Sequence, residues 1–178
     1  MTTRLLTLIC AALLSLAAHA IEFKGLTDNA TPGDFAAKFP DSSCAKSTRP
    51  MDIDGTVLCE INDTTWANLP ATRVRATFDD AGLGSVSVTL TGTAVYNDAV
   101  AALSAKYGQY TATNVLRRPA PAYIEAAWML PADTLSVQSR PDKNETQVLM
   151  FSRAWSARTL DAFNSRQAAK AKAAQGDL

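Results

Sequence analysis

Histidine is the residue type whose scarcity says most about this sequence. The chain has 178 residues and one histidine. That residue, His19, lies in a leader that we expect to be removed. A Ser-His-Asp triad or a Cys-His pair needs an imidazole as its general base, so hydrolases of both kinds are excluded. A Gly-rich phosphate loop and a dinucleotide fingerprint are also missing from the sequence.

The sequence also has no excess of positive or of negative charge. The chain has 17 Lys and Arg residues against 17 Asp and Glu residues. Nucleic acids and anionic membranes are bound through basic clusters, so we predict neither as the main partner. Beyond the leader no apolar run approaches the roughly 20 residues of a membrane helix. We therefore predict no membrane span in the mature chain.

Residues 1–20 have the pattern of a secretory signal peptide. A lone arginine precedes an apolar run too short to span a membrane, and an A-x-A cleavage site ends at Ala20. Cys10 lies within the apolar run and follows Ile9, where a lipoprotein box needs a small residue, so we expect no lipid anchor. We predict cleavage after Ala20 and export to a bacterial periplasm, since the Ala-rich leader is typical of bacteria.

Two cysteines, Cys44 and Cys59, remain after the leader. An even pair in an exported chain predicts a disulfide, which would stabilise the fold by roughly 3 kcal/mol on the chain-entropy model. The alternative is a metal or redox site. A metal site would need further Cys or His ligands nearby, and a redox site would favour C-x-x-C spacing. Neither pattern is present, so the disulfide is the prediction.

The stretch 71–110 predicts two strands followed by a helix. At 74–78 and 86–90 apolar residues alternate with polar ones, which is typical of strands with one buried and one solvated face. The cluster Asp-Asp-Ala-Gly at 79–82 predicts the turn between them. We predict Thr93 as the N-cap of the helix and Gly108 as the residue that ends it.

The flanking segments extend this unit to one domain over residues 21–178. Thr31 and Asp34 predict a capping box on a short helix that carries Phe35 and Phe39 on one side. Further predicted elements are strands at 56–61, 123–130, 134–138 and 147–153, a proline-rich crossing at 117–121 and a hairpin turn at 141–144.

A last helix is predicted to begin at Ser156 and to bury Leu160 and Phe163. No large apolar residue lies between Phe163 and the final leucine, so we expect residues 164–178 to fray. Both halves of the chain then place strands before a helix. The expected fold is α+β, an antiparallel sheet of five or six strands with helices packed on one face.

The sharpest chemical motif is the run DIDGT from Asp52 to Thr56. It resembles the D-x-D-G-T signature of the haloacid dehalogenase-like phosphatases. The resemblance implies that Asp52 is a nucleophile, that Asp54 is an acid/base and that Mg²⁺ binds both. That family places the motif after a buried parallel strand, whereas the run Lys-Ser-Thr-Arg-Pro-Met at 46–51 cannot form such a strand, so the alternative is a polar turn. A second alternative is a calcium loop that adds Glu60 and Asp63 as ligands. We predict no cofactor and no metal.

Aromatic and cationic side chains are the candidates for a binding surface. Trp128 lies within a predicted strand and is expected in the core, whereas Trp66 and Trp155 flank elements in polar surroundings. Arg73 and Arg75 lie on the solvated face of the first central strand. We predict that these two tryptophans and two arginines can form a binding surface. The alternatives are core or rim packing for the tryptophans and ordinary solvated charges for the arginines.

The order of elements resembles small exported α+β proteins of the BamE and β-lactamase-inhibitor-protein kind. The resemblance is carried by Gly25-Leu26-Thr27, by a short helix that ends at Phe39-Pro40 and by the strands that follow. BamE is a lipoprotein, whereas this sequence lacks the lipoprotein box. The resemblance implies a non-catalytic, protein-binding role in the periplasm. We therefore predict an inhibitor, an immunity protein or an envelope-assembly factor; the alternatives are the phosphatase and a carrier of a small apolar ligand between sheet and helices.

Overall fold

One antiparallel sheet organises the protein. The computed structural model describes residues 22–49, 52–116 and 123–176, and within these ranges the chain forms eight strands and three helices. The helices are α1 (Pro32–Lys38), α2 (Tyr96–Tyr107) and α3 (Arg153–Gly176). The strands are β1 (Ser43–Lys46), β2 (Val57–Trp66), β3 (Leu69–Asp79), β4 (Gly82–Thr91), β5 (Ala112–Leu116), β6 (Tyr123–Met129), β7 (Asp133–Arg140) and β8 (Glu145–Ser152). The prediction of an antiparallel α+β fold is confirmed.

The two halves of the chain have the same connectivity. Strands β1 to β4 form a meander followed by α2, and β5 to β8 form a second meander followed by α3. The order in the sheet is β1-β2-β3-β4-β8-β7-β6-β5, so the meanders join where β4 pairs antiparallel with β8. The last strand of each half therefore lies at the centre of the sheet, and the first strand of each half lies at an edge.

The predicted number of strands, five or six, was wrong because both edge strands were missed. In β1 all four side chains are exposed, and β5 is paired only with β6. An edge strand has one neighbour, so it can be short and need not carry the apolar alternation that marks a central strand. The leader 1–20 and the predicted crossing at 117–121 lie outside the described residues.

The core lies between the sheet and helices α1 and α2. Phe35 of α1 is fully buried and its ring meets that of Phe78 edge-on at 6.1 Å. Ala99 and Leu103 are the buried residues of α2. The strand residues on this core face include Val74, Ala76, Val86, Val88, Leu90, Leu135, Val137, Val148 and Met150, all at most 3% exposed.

The first two helices begin in different ways, α1 with a side-chain cap and α2 after a backbone turn. Both hydrogen bonds of the predicted capping box on α1, between Thr31 and Asp34, are present. Thr93, in contrast, was wrongly predicted as the N-cap of α2. The N-cap is Val95, without a side-chain hydrogen bond, because a turn closed by the Tyr96 amide on the Thr93 carbonyl precedes the helix. Gly108 ends α2 with φ at 80°, as predicted.

Helix α3 lies on the opposite face of the sheet, so the prediction of helices on one face was wrong. It begins at Arg153 rather than Ser156. Leu160 was predicted to be buried but is 57% exposed, and Phe163 is half-buried. In the second half of α3 the side chains of residues 167–175 are all exposed. The prediction assumed that the apolar side chains of α3 point to the core, whereas Trp155 supplies its contact with the sheet.

Candidate binding face

We call the sheet surface opposite α1 and α2 the open face. Cross-strand pairing arranges its side chains in three rows. The first row is Asn62, Arg73, Thr89, Gln147, Gln138 and Glu125. The second is Glu60, Arg75, Ser87, Leu149, Ser136 and Ala127. The third is Leu58, Thr77, Ser85, Phe151, Thr134 and Met129. The face therefore changes from polar to apolar towards the end where α3 crosses it.

Trp155 packs α3 against this face at a position where the sheet has a glycine, Gly84. Its ring stacks on Phe151, with centroids 6.3 Å apart and planes inclined by 12°, and it lies over Gly84. A Cβ atom at Gly84 would be 2.1 Å from Trp155 Cδ1, so no other residue fits there without displacing the indole. Further along α3, Arg158 donates to the Asp79 carboxylate at 2.7 and 3.0 Å.

A groove of about 390 Å³ lies beside this contact. It is lined by Arg49, Arg75, Thr77, Ser85, Ser87, Leu149, Phe151 and Trp155. Its far end is cationic: Arg75 pairs with Glu60, whereas Arg49 is exposed and has no ion-pair partner among the described residues.

Hydroxyl groups form the floor of the groove. Thr77 is 4% and Ser85 is 8% exposed, and Ser87 stands beside them on β4. Their hydroxyls make no hydrogen bond with another described residue. The floor therefore has hydrogen-bond donors and acceptors that no described residue uses and that a ligand in the groove can reach.

An apolar depression continues from this groove along α3. It measures about 330 Å³ and is lined by Phe151, Trp155, Ser156, Thr159 and Leu160. Leu160 is 57% exposed, and Met129, in the same row as Phe151, is 53% exposed. Phe151, Trp155 and Leu160 therefore form an apolar patch that is partly exposed, and such patches are typical of interaction surfaces.

The structure brings three of the four predicted binding residues together. Arg73, Arg75 and Trp155 lie on the open face, and two of them line the groove. Trp66 does not join them: it is 9% exposed and belongs to the core on the other side of the sheet. Trp128 is in the core as predicted, 1% exposed, and its indole N–H donates to the Gly108 carbonyl at 2.8 Å.

Sequence reasoning missed Arg49, Leu149 and Phe151. The two apolar residues carried a usable signal, because β8 has apolar residues on both faces from Val148 to Phe151, the pattern of a strand covered on both sides. Arg49 carried none, since a loop after an edge strand brings it to the groove.

The DIDGT loop separates its two carboxylates. Asp52 is 7% exposed and accepts a hydrogen bond from the Ser47 hydroxyl, while the Asp54 side chain is fully exposed at 3.6 Å from Arg166. Arg166 also donates to the Asp52 carbonyl at 2.7 Å, so α3 holds this loop. The loop precedes an antiparallel strand, not the parallel strand that the phosphatase family uses.

The acidic residues of the alternative calcium loop do not converge either. Glu60 is paired with Arg75 on the open face, and Asp63 lies further along β2. No group of three or more potential metal-ligating His, Cys, Asp or Glu side chains occurs in the part of the chain that the structure describes.

The predicted disulfide between Cys44 and Cys59 is confirmed. The two residues are direct partners across β1 and β2, with Cα atoms 4.0 Å apart. Cys59 is fully buried and aligns with Ala76, so the bond lies on the core face. It fastens the edge strand to the sheet, away from the open face.

A smaller cavity of about 190 Å³ lies on the core side, between α2 and the turns that follow Phe23 and Trp66. It is lined by Glu22, Phe23, Lys24, Trp66, Ala67, Ala102, Leu103, Lys106, Tyr107 and Met150. Lys106 and Glu22 form an ion pair of 2.8 Å at this site. Burial, the largest single influence, lowers the pKa of Lys106, but hydrogen bonds and charge interactions with Glu22 and Tyr107 together raise the pKa above its usual value.

None of the described helices is long and apolar enough to cross a membrane. Comparison of the chain with protein-family models, with curated proteins and with solved structures gave no match.

Proposed function

We propose that this protein is an exported, non-catalytic binding module and that the open face holds another protein. The observation that carries the proposal is the apolar depression of Phe151, Trp155 and Leu160 beside a hydroxyl-lined groove, on a face where α3 is the only described helix that packs. A face made only to be solvated would not expose apolar side chains of this size in one place.

The chemistry of the face favours a protein over nucleic acid. Arg75 is already paired with Glu60, and Glu125 and Gln138 are hydrogen-bonded to each other at the other side of the sheet. Nucleic acid binding needs several free cations along a path. A patch of exposed aliphatic and aromatic side chains with a polar rim is instead typical of protein interfaces.

The role expected of such a module is that of an inhibitor, an immunity protein or an envelope-assembly factor in the bacterial periplasm. Its support is the leader pattern of residues 1–20 and the disulfide, a bond that persists in oxidising compartments. The resemblance to BamE and β-lactamase inhibitor protein points the same way and stays a prediction.

Both alternatives have less support. A phosphatase needs Asp52 and Asp54 to face one substrate, but one carboxylate is buried on Ser47 and the other faces solvent. A carrier of an apolar ligand needs an enclosed pocket. The core-side cavity of about 190 Å³ is below the roughly 300–1,000 Å³ of most ligand pockets, and the depression of about 330 Å³ along α3 is bordered by Leu160, which is 57% exposed.

Site-specific photo-crosslinking tests the proposal. Replacing Ser87 on the open face by p-benzoylphenylalanine should yield a discrete adduct in periplasmic extract, and excess unlabelled protein should compete it away. The same probe at Lys38, exposed on α1 at the other side of the sheet, is the matched control and should yield no adduct. Equal labelling from both positions, or none from Ser87, would contradict the proposal.

A further inference from the structure

The groove on the open face has the chemistry of a peptide-binding site. Building on the proposed function, we propose that it binds an extended segment of the partner protein in which an acidic side chain is followed, two to four residues later, by an aromatic or large aliphatic one. The acidic side chain pairs with Arg49, and the apolar one packs on Phe151 and Trp155.

The first argument is the length of the groove. A third depression, of about 300 Å³, lies over β1 and β2 and shares Arg49 with the central groove. The central groove in turn shares Phe151 and Trp155 with the depression along α3. The three form one trough across β1, β2, β3, β4 and β8, and at about 4.8 Å per strand this is roughly 19 Å, the length of about six extended residues.

The second argument is the distribution of polar groups along the trough. An extended peptide brings backbone N–H and C=O groups that need partners wherever water is excluded. The hydroxyls of Thr77, Ser85 and Ser87 can each donate and accept, and none is used by another described residue. A purely apolar ligand would leave these groups unsatisfied, so the floor favours a peptide over a lipid-like molecule.

The third argument is charge. Arg49 is exposed and has no ion-pair partner among the described residues, while the neighbouring Arg75 is neutralised by Glu60. Lys46, which lines the depression over β1 and β2, is also exposed without an ion-pair partner among the described residues. One end of the trough therefore has two uncompensated positive charges. The other end is apolar, with Phe151 stacked on Trp155 and Leu160 exposed beyond them. An acidic residue and an apolar residue a few positions apart match these two ends.

An array of synthetic nonapeptides, measured by fluorescence anisotropy against the full mature chain, tests the inference. Each peptide has Glu, Lys or Ser at one anchor position and Phe, Leu or Ser two, three or four residues later, in a Gly-Ser background. We expect the Glu and Phe or Leu peptides to bind at least tenfold more tightly than their Lys and Ser counterparts. Equal binding throughout the array, or none, would overturn the inference.

Substitutions in the protein, measured with the same peptides, provide a second test of the inference. Arg49→Glu should remove the preference for Glu peptides, and adding Lys46→Glu should reverse it to Lys peptides, which loss of folding could not do. Leu160→Ser, at an exposed position, should weaken the Phe peptides about threefold and leave the Glu preference intact. Lys143→Gln, in the turn before β8, removes a charge at the opposite end of the sheet and should change nothing. An Arg49→Glu variant that still prefers Glu peptides would refute the assignment.

The two proposals fail in different ways. If the crosslink from Ser87 to the periplasmic partner persists unchanged in Arg49→Glu, the open face binds a protein but not through this acidic segment. If decanoate competes with the peptides as well as they compete with one another, the trough is a site for small amphiphiles. If the mature chain dimerises through the same residues, the occupant is a second copy. Each of these results rejects the peptide assignment.

Discussion

The two faces of the sheet are formed by the same strands, but their side chains lie in different environments. On β4, Val86 and Val88 are fully buried against the helices, while Ser85 and Ser87 point to the open face. On the core face a side chain matters for the volume it fills and the water it excludes. Under the proposed function, a side chain on the open face matters for what it offers to a partner. The proposal therefore assigns stability and binding to alternate residues of one strand and predicts that each can be changed without the other.

The largest effect should come from truncating a core-face residue. Leu90→Ala removes a fully buried side chain and should lower the free energy of unfolding by about 2–5 kcal/mol, since a cavity is left in a packed interior. Ser87→Ala on the other face of the same strand should change it by less than about 0.5 kcal/mol. Urea denaturation measures both. Similar losses would show that the open face is also part of a core.

Removing the disulfide is a second test of whether stability depends on the core face and binding on the open face. Replacing both Cys44 and Cys59 by Ala should cost roughly 3 kcal/mol, because the cross-link restricts the unfolded chain. The bond lies on the core face, so binding to the open face should be unchanged while the variant remains folded.

Reduction is the matched control for this prediction. A phosphine reductant should lower the urea midpoint of the wild-type protein to that of the double variant and leave the double variant itself unaffected. A loss of crosslinking from Ser87 in the folded double variant would contradict the separation of the two faces.

Gly84 tests whether α3 is an integral part of the open face. Gly84→Ala places a Cβ 2.1 Å from a Trp155 ring atom, so the indole must move, and we expect a loss of about 1–3 kcal/mol, as for other overpacked sites. Tryptophan emission should shift to longer wavelength as Trp155 becomes solvated. Gly33→Ala in α1, whose Cβ would meet only an ordinary contact at 3.5 Å, should not produce this shift. An unchanged spectrum in Gly84→Ala would mean that Trp155 is not seated there.

The sequence predicted the elements whose signal is local. The alternation at 74–78 and 86–90 identified the central strands and both of their faces, because burial on one side leaves a period of two in the residues themselves. The same holds for the turn at 79–82, the capping box on α1 and the paired cysteines. These features depend on neighbours that are close in the chain or have few possible partners.

The missed features depend on distant residues. The position of α3 is decided by Gly84, which makes room for Trp155, and nothing near Trp155 in the sequence indicates this. Edge strand β1 is a strand only because β2 pairs with it, and Arg49 reaches the groove only because β1 ends beside it. The candidate site could therefore be predicted as a solvated strand face, but not as a groove.

The smallest predicted effect comes from the Asp34 carboxylate, which belongs to α1 and not to either face of the sheet. The Asp34 carboxylate accepts hydrogen bonds from the backbone N–H and from the hydroxyl of Thr31. These bonds, the backbone one first, lower the pKa of Asp34 below the usual 3.8. A lowered pKa in the folded state means that the ionised carboxylate stabilises α1 fully above the ordinary pKa and loses this effect as the pH falls through the lowered one. Asp34→Asn should therefore lower the urea midpoint slightly at pH 6 and have little effect at pH 2.

Asp41→Asn is the control for Asp34. It removes an exposed carboxylate beyond the C-terminal end of α1 and should not reproduce the difference between pH 6 and pH 2, because Asp41 forms no hydrogen bond with a capping residue in the described chain. Since α1 packs on the core face, the Asp34 effect should appear in stability and leave peptide binding at pH 6 unchanged. A weaker peptide affinity in Asp34→Asn would show that strain on the core face reaches the open face through the sheet, and the two faces would then no longer be independent.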